Sequence, residues 1–427
     1  MDDAETIAAI ATPPGRGGVA VVRVSGPEAF SVASRVSGRS VHASQAGRFM
    51  HVRFRNAAGE ELDDGLLLVF SSPRSYTGED VVEFQCHGGT VAPRRVLEAA
   101  LEAGARLARR GEFTMRAFLN GRLDLSAAEA VIDLVDAKTD RSARDAAMRL
   151  GGGLSDEFDS FYSSALDISA RIEHALDFDE NELPPSFADD LARDADSLRS
   201  AIAVRLSTAR EGMMLRDGAL VVLAGPPNAG KSSLLNALLG KDRAIVSPEP
   251  GTTRDSVEEW AEIGGWPVRL ADTAGIRDAS NPVEAEGVAR ARALVEKADV
   301  VLALDCDIPC AMRIHAKCDL GPGEGLPVSS LTGEGLQSLK EAIAERLAAV
   351  AARADDTSGA DVTTRQKELL DAAAAALDGA RASLSASEWV VAAGELRVAA
   401  ESLGRLTGKV YSSDILDALF SRFCIGK

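Results

Sequence analysis

Cysteine is scarce and poorly placed for crosslinking: 5 in 427 residues, an odd number and scattered. That argues against a disulfide scaffold and for a reduced, cytoplasmic compartment. Long apolar runs are missing too. None approaches the ~20 residues needed to span a membrane, and the acidic N-terminus lacks the basic region of a signal peptide; no membrane association is expected. Positive charge is in deficit, with 47 Lys and Arg against 65 Asp and Glu and a net charge of −18. A non-specific nucleic-acid binder would be basic, so any RNA contact must be local or shared with a partner.

What is present suffices for more than one core. At 46% hydrophobic content, a chain of this length reads as two or three domains. Residues 1–120 mix short β-rich runs (Val19–Val24, Arg48–Arg55, Leu66–Phe70, Val81–Gln85) with two helical patterns, Pro27–Val36 and Ala92–Ala103. This predicts an α+β domain. From Leu125 to Leu215 the spacing turns helical (Ala130, Leu134, then Ile168, Ile172, Leu176) and strands are absent. Residues 217–345 alternate strand and helix, and 346–410 return to an Ala-rich helical pattern that is polar on one face. An α/β domain at 216–345 is therefore expected to be inserted into an all-α domain made of 121–215 and 346–427.

The stretch Gly225–Ser233, GPPNAGKSS, is a Gly-x-x-x-x-Gly-Lys-Ser phosphate loop between a β-branched run (Ala219–Ala224) and an apolar-periodic helix. In that setting the backbone N–H groups of Asn228, Ala229, Gly230 and the residues through Ser233 wrap the phosphates of a nucleoside triphosphate. Lys231 neutralises charge on the outer two, and the Ser232 hydroxyl completes a Mg²⁺ shell. Downstream, Gly251, Thr252 and Thr253 follow the loop Ser247, Pro248, Glu249, Pro250. Asp272, Thr273, Ala274 and Gly275 follow an extended run. Thr253 is placed to reach Mg²⁺ and the γ-phosphate, Asp272 to hold Mg²⁺ through water, and the Gly275 N–H to sense the γ-phosphate. Three phosphate-facing motifs in this order spell a switch GTPase. Ser329, Ser330 and Leu331 fit its last base-contacting loop, and an ATPase is disfavoured by Asp319 and SSLTGEG.

Two departures stand out. A guanine site usually carries Asn-Lys-x-Asp; here it reads Ala316-Lys317-Cys318-Asp319. Asp319 still offers a carboxylate to both guanine N–H donors and Lys317 can pack over the base, so the change removes about 0.5–1.5 kcal/mol. Second, only Cys306–Ala311 separate the strands Val300–Asp305 and Met312–His315. Six residues reach at most ~20 Å, enough to return along a short strand but not to build the usual crossover helix.

With these residues read, the chain resembles the MnmE (TrmE) family of bacterial tRNA-modification GTPases over essentially its whole length. The match includes ATPPGRGGVAVVRVSG (Ala11–Gly26), SYTGEDVVEFQCHGG (Ser75–Gly89), GEFTMRAFLNGRLDLSAAEAV (Gly111–Val131) and the terminal FCIGK (Phe423–Lys427). The resemblance implies an N-terminal folate-binding-like domain that dimerises, and a Ras-like G domain set in a helical domain. It also implies that a homodimer joins the flavoprotein MnmG in a heterotetramer or larger complex. That complex engages tRNA and builds an aminomethyl or carboxymethylaminomethyl group on C5 of the wobble uridine, from the one-carbon unit of a 5-formyl- or methylene-tetrahydrofolate. By position, Arg23, Glu83, Arg122 and Lys427 would form the folate site, with Glu79 competing for the role of Glu83. Cys424 is either a reactive thiol or a small packing residue. An assembly GTPase of the Era type would instead carry an RNA-binding module in place of residues 1–120.

For hydrolysis, Ile276 stands where a Ras-type enzyme has its water-orienting Gln. Glu284 matches the family's water-activating carboxylate. Asn228, with oxygens of Ser247, Glu249 and Thr252, would hold K⁺ where an arginine finger otherwise sits. Among the remaining candidates, Cys306, Cys310 and Cys318 lack a fourth metal ligand at suitable spacing other than His315, and Cys86-His87 reads as packing or backbone shaping rather than nucleophilic catalysis. Arg106, Arg109, Arg110 and Arg116 either touch tRNA or form a solvated face, and the second reading is preferred.

Overall fold

The structure is a computed structural model and describes residues 5–176, 184, 186–240, 258–273, 292–351 and 362–427. The chain forms two compact units, residues 1–132 with 404–427, and residues 133–403.

The first unit is built on six strands: β1 (Ile7–Ile10), β2 (Val19–Ser25), β3 (Phe49–Arg55), β4 (Glu61–Phe70), β5 (Val81–His87) and β6 (Arg106–Leu107). They lie in the order β3-β4-β5-β2-β1-β6. Period-2 alternation turns Val22, Val24, Val52, Phe54, Leu67, Val69, Val82 and Phe84 to one side, where they are buried. On that side they meet α1 (Ala29–Ser37) and α2 (Ala92–Glu102), whose buried residues recur at helical spacing. Phe54 and Phe84 meet edge-to-face at 5.5 Å between ring centroids. β1 and β6 were not expected. α3 (Glu112–Leu119) follows, and the chain's last segment returns to it: Ile425 pairs with Arg110 across an isolated antiparallel bridge.

Helix α4 (Leu125–Asp136) leads into the second unit. Its helices are α5 (Asp140–Leu150), α6 (Ser155–Leu176), α7 (Phe187–Ser207) and α8 (Ala209–Asp217), then α11 (Thr364–Ser385) and α12 (Trp389–Thr407), with α13 (Ser413–Phe420) closing the chain in the first unit. Buried residues fall at i, i+3, i+4 spacing on α6 (Phe158, Phe161, Ala165, Ile168, Ile172), α7 (Leu191, Ala195, Leu198, Ile202) and α11 (Leu370, Ala373, Leu377, Ala380, Leu384).

Between α8 and α11 lies an α/β fold. Its strands are β7 (Ala219–Ala224), β8 (Glu258–Ile263), β9 (Trp266–Asp272), β10 (Val300–Leu304), β11 (Met312–Ala316) and β12 (Leu326–Val328), in the order β12-β11-β10-β7-β9-β8. All pairs are parallel except β8 with β9. β7 is buried along all six residues, as a central parallel strand covered on both faces must be; each such Val or Leu contributes ~1.5–3 kcal/mol of burial. Helices α9 (Lys231–Leu239) and α10 (Leu336–Ala351) pack on the core side. β10 passes to β11 through residues 305–311 with no helix, as the spacing required. The register explains how: Leu302 pairs with Met312, so the chain needs to step back only two residues from Leu304. The chain thus has an N-terminal α+β region and a helical region interrupted by an α/β nucleotide-binding fold. The two contact-defined units cut across the four segments read from the sequence pattern.

Candidate nucleotide site and a second polar cluster

The carboxyl ends of the parallel strands are where an open α/β sheet holds its ligand, and the phosphate loop emerges there from β7. Asn228 and Gly230 take left-handed conformations, φ 64° and 94°. Left-handed residues in such a loop turn backbone N–H groups inward to make an anion cradle at the start of α9. Lys231 is 5% exposed, and its Nζ donates to the carbonyls of Gly225 (3.0 Å) and Pro226 (2.8 Å). The Ser232 hydroxyl donates to Asp272 Oδ2 at 2.7 Å. Thr273, next to it, is pinned by Oγ1 and N–H bonds to the Leu223 carbonyl. Ala229 is buried and Ser233 exposed.

Two further loops reach this end of the sheet. Lys317, at φ 60°, donates from Nζ to the Asn228 carbonyl at 2.8 Å, tying its own loop to the phosphate loop. Asp319 is exposed in the short 3₁₀ turn that follows. In the last loop the buried Ser329 hydroxyl accepts the N–H groups of Leu331 (3.3 Å) and Thr332 (3.2 Å). Ser330 is half-buried and Leu331 exposed. Ser247, Pro248, Glu249, Pro250, Gly251, Thr252, Thr253, Ala274, Gly275, Ile276 and Glu284 lie outside the described residues.

In the first unit, Arg23 on β2 faces Glu83 on β5 in register, with Nε donating to Oε1 at 2.9 Å. Its guanidinium carbon also lies 5.1 Å and 5.7 Å from the ring centroids of Tyr76 and Phe113. Among the described residues nothing bonds the second Glu83 oxygen. Glu79 differs: it accepts Arg116 on both oxygens at 3.1 Å and the Ser25 hydroxyl at 2.6 Å. Arg122 is exposed and donates from Nε to the Ser75 carbonyl, beside Tyr76. Cys424 is exposed, and the Lys427 N–H donates to its carbonyl.

The expected solvated face of arginines holds only in part. Arg116 is buried between Glu79 and Glu112, and Arg106 pairs with Glu5 and Glu112. Burial acts to raise the Glu112 carboxyl, but bonds from Arg106 and the Arg109 N–H, with the charges of Arg106 and Arg116, hold it at about 2. Nothing in the composition singled out this cluster, although Glu112 and Arg116 stand at helical i, i+4 spacing. The Cys86 thiol faces the core, and burial, then the Asp63 charge, push it up to about 11. His87 points the other way, to Asp63. Among the described residues, the group of ligating side chains with atoms within 4.8 Å of one another is Asp63, Asp64 and His87. The three cysteines near residue 310 are not part of it.

The family description "MnmE helical domain" matches residues 125–424, and "GTP-binding protein TrmE N-terminus" matches residues 6–122. This chain belongs to the MnmE family. It is 42% identical to the tRNA modification GTPase MnmE of Symbiobacterium thermophilum, over 99% of both chains. It is 43% identical to that of Halorhodospira halophila, over 100% of this chain and 96% of the relative. For a Thermus thermophilus MnmE the figure is 42% over the whole of both. The MnmE alignments extend over 442 to 462 positions, more than the 427 residues of this chain. The relatives therefore carry segments that it lacks.

Proposed function

We propose that this GTP hydrolase, a member of a tRNA-modification family, uses its nucleotide cycle to drive modification at C5 of the wobble uridine of certain tRNAs. The observation that carries the reading is the meeting of Lys231, Ser232 and Asp272 at the carboxyl end of the sheet. Lys231 is buried, and its acceptors among the described residues are neutral carbonyl oxygens. Phosphate oxygens carry negative charge and attract the ammonium more strongly than neutral carbonyls do, so a triphosphate displaces the loop carbonyls. Ser232 and Asp272 are hard oxygen donors, which suits Mg²⁺; the bound metal would neutralise charge on the phosphates. Lys317 and Asp319 would hold the guanine, with Ser329, Ser330 and Leu331 at its far edge. Glu284 would orient the attacking water. Asn228, Ser247, Glu249 and Thr252 would hold K⁺.

The one-carbon donor in this reading is a tetrahydrofolate bound by Arg23, Arg122 and Lys427, with Glu83 at the pterin. Glu83 suits that role better than Glu79, because it retains an oxygen not taken by arginine. Its partners are a second copy of the chain, the flavoprotein MnmG and, through that complex, tRNA. The test is mass spectrometry of tRNA nucleosides from a strain deleted for this gene and complemented with wild type or Lys231→Ala. The modified uridine should return only with wild type. Its return with Lys231→Ala overturns the reading. Its presence in the deletion strain favours an assembly GTPase that catalyses no modification.

A further inference from the structure

Side chains alternate along β11. Ile314 and Ala316 enter the core, while Arg313 and His315 lie on the other face. From that face each reaches both of the loops that flank the strand. Arg313 pairs with Asp307 (2.6 Å) in the connection from β10 and with Glu324 (3.1 Å) in the loop that leads to β12. His315 places Nδ1 3.6 Å from Asp305 Oδ1 on the first side and Nε2 2.8 Å from the Gly321 carbonyl oxygen on the second. A carbonyl only accepts, so Nε2 carries a proton and donates. The loop backbone also lies against the ring: a Cβ added at Gly323 would stand 2.2 Å from Nδ1. The two side chains differ in weight. Asp307 and Glu324 are 76% and 91% exposed, so solvent screens the Arg313 pairs, whereas the His315 side chain is only 17% exposed.

The turn Cys318–Leu320, which carries Asp319, lies between these anchors. It is closed by N–H bonds from Leu320 to the Lys317 carbonyl (2.9 Å) and from Gly321 to the Cys318 carbonyl (3.4 Å). Its entry is tied to the phosphate loop through Lys317, and its exit to β11 through His315. We propose that His315 is a positioning residue for base recognition: its ring holds this turn so that the Asp319 carboxylate is preset for guanine. It acts from the position before Ala316, whose methyl group has nothing with which to bond a loop. The proposal rests on the GTP reading above and adds to it the group that aims the carboxylate. An exposed carboxylate on a short turn is ordered at a cost when the base binds, and a turn fixed beforehand avoids that cost.

The test is calorimetry on the full chain with a non-hydrolysable GTP analogue and with inorganic tripolyphosphate, which has no base. His315→Ala should weaken the analogue by about 3-fold to 10-fold, the equilibrium equivalent of one net hydrogen bond, and leave tripolyphosphate binding unchanged. His315→Gln, whose amide N–H can donate to the Gly321 carbonyl, should recover part of the loss. Gly323→Ala, in an exposed stretch of the loop, should weaken the analogue too by pushing the backbone off the ring, and it decides the matter should His315→Ala not fold. With Asp319→Ala already present, His315→Ala should have no further effect, because no carboxylate is left to aim. Unchanged affinity in His315→Ala, equal losses for both ligands, or losses that add to those of Asp319→Ala overturn the positioning role while the GTP reading stands. A wild-type chain that binds tripolyphosphate but does not prefer the guanine analogue to its adenine counterpart overturns the GTP reading, and the positioning role with it.

Discussion

At the scale of single residues, Ala316 stands where a guanine site ordinarily has Asn, and it is buried at the end of β11. The Asn side chain is gone, but Lys317 still bonds the Asn228 carbonyl, so the base loop stays fastened to the phosphate loop. In the proposed GTP reading, base choice then falls on Asp319. A site built around a polar pair discriminates by roughly 10⁴ or more; Asp319→Asn should lower GTP affinity and raise that for xanthosine triphosphate, as read by calorimetry. Normal GTP binding by the mutant would remove Asp319 from the site. Glu112 carries a pH dependence. Its folded value, about 2, lies below the ordinary 4.5, so its stabilisation is complete above about 4.5 and is lost as pH falls toward 2. Glu112→Gln should cost about 1.5–3 kcal/mol at neutral pH, the range for hydrogen bonds to charged groups. Urea midpoints of mutant and wild type should converge at about pH 2–3. A gap that persists there would show that packing, not charge, makes the difference.

At the scale of elements, the link from α8 into β7 depends on Gly218. It sits at φ +76°, and an added Cβ would lie 2.5 Å from the Trp260 ring. Gly218→Ala should therefore destabilise the second unit by more than about 1 kcal/mol, measured as a lower midpoint for the exposure of Trp260 and Trp266; an unchanged midpoint would mean the ring yields freely. Strands β2 to β5 and helices α1 and α2 were legible because each repeats an alternating or 3.6-residue pattern long enough to count. β1 was not: Ile7–Ile10 is four residues, two of them alanine. It is a strand because β2 and β6 bond it from either side. The helix-free step from β10 to β11 was readable from spacing alone, since chain length caps what six residues can span.

At the scale of the whole molecule, the net charge of −18 bears on RNA. In ~150 mM salt the isolated chain should bind tRNA weakly, with a shallow dependence of log K on log salt because few phosphates are neutralised. A slope as steep as that of a basic RNA-binding protein, read by filter binding across salt, would point to a concentrated cationic surface instead. The sequence by itself determined the fold class, the order of the phosphate-facing motifs and the chemistry each residue type brings, because these depend on short-range spacing and on side-chain charge. Tertiary structure alone decided which charges meet. Arg116 reaches Glu79 from 37 positions away, Ile425 closes onto Arg110, and Arg141 finds Trp266 across more than a hundred residues. Glu83 is distinguished from Glu79 only once Arg116 and Ser25 take the Glu79 oxygens. Pairings of this kind are fixed by where packed elements carry side chains in space, and no local pattern in the chain encodes them.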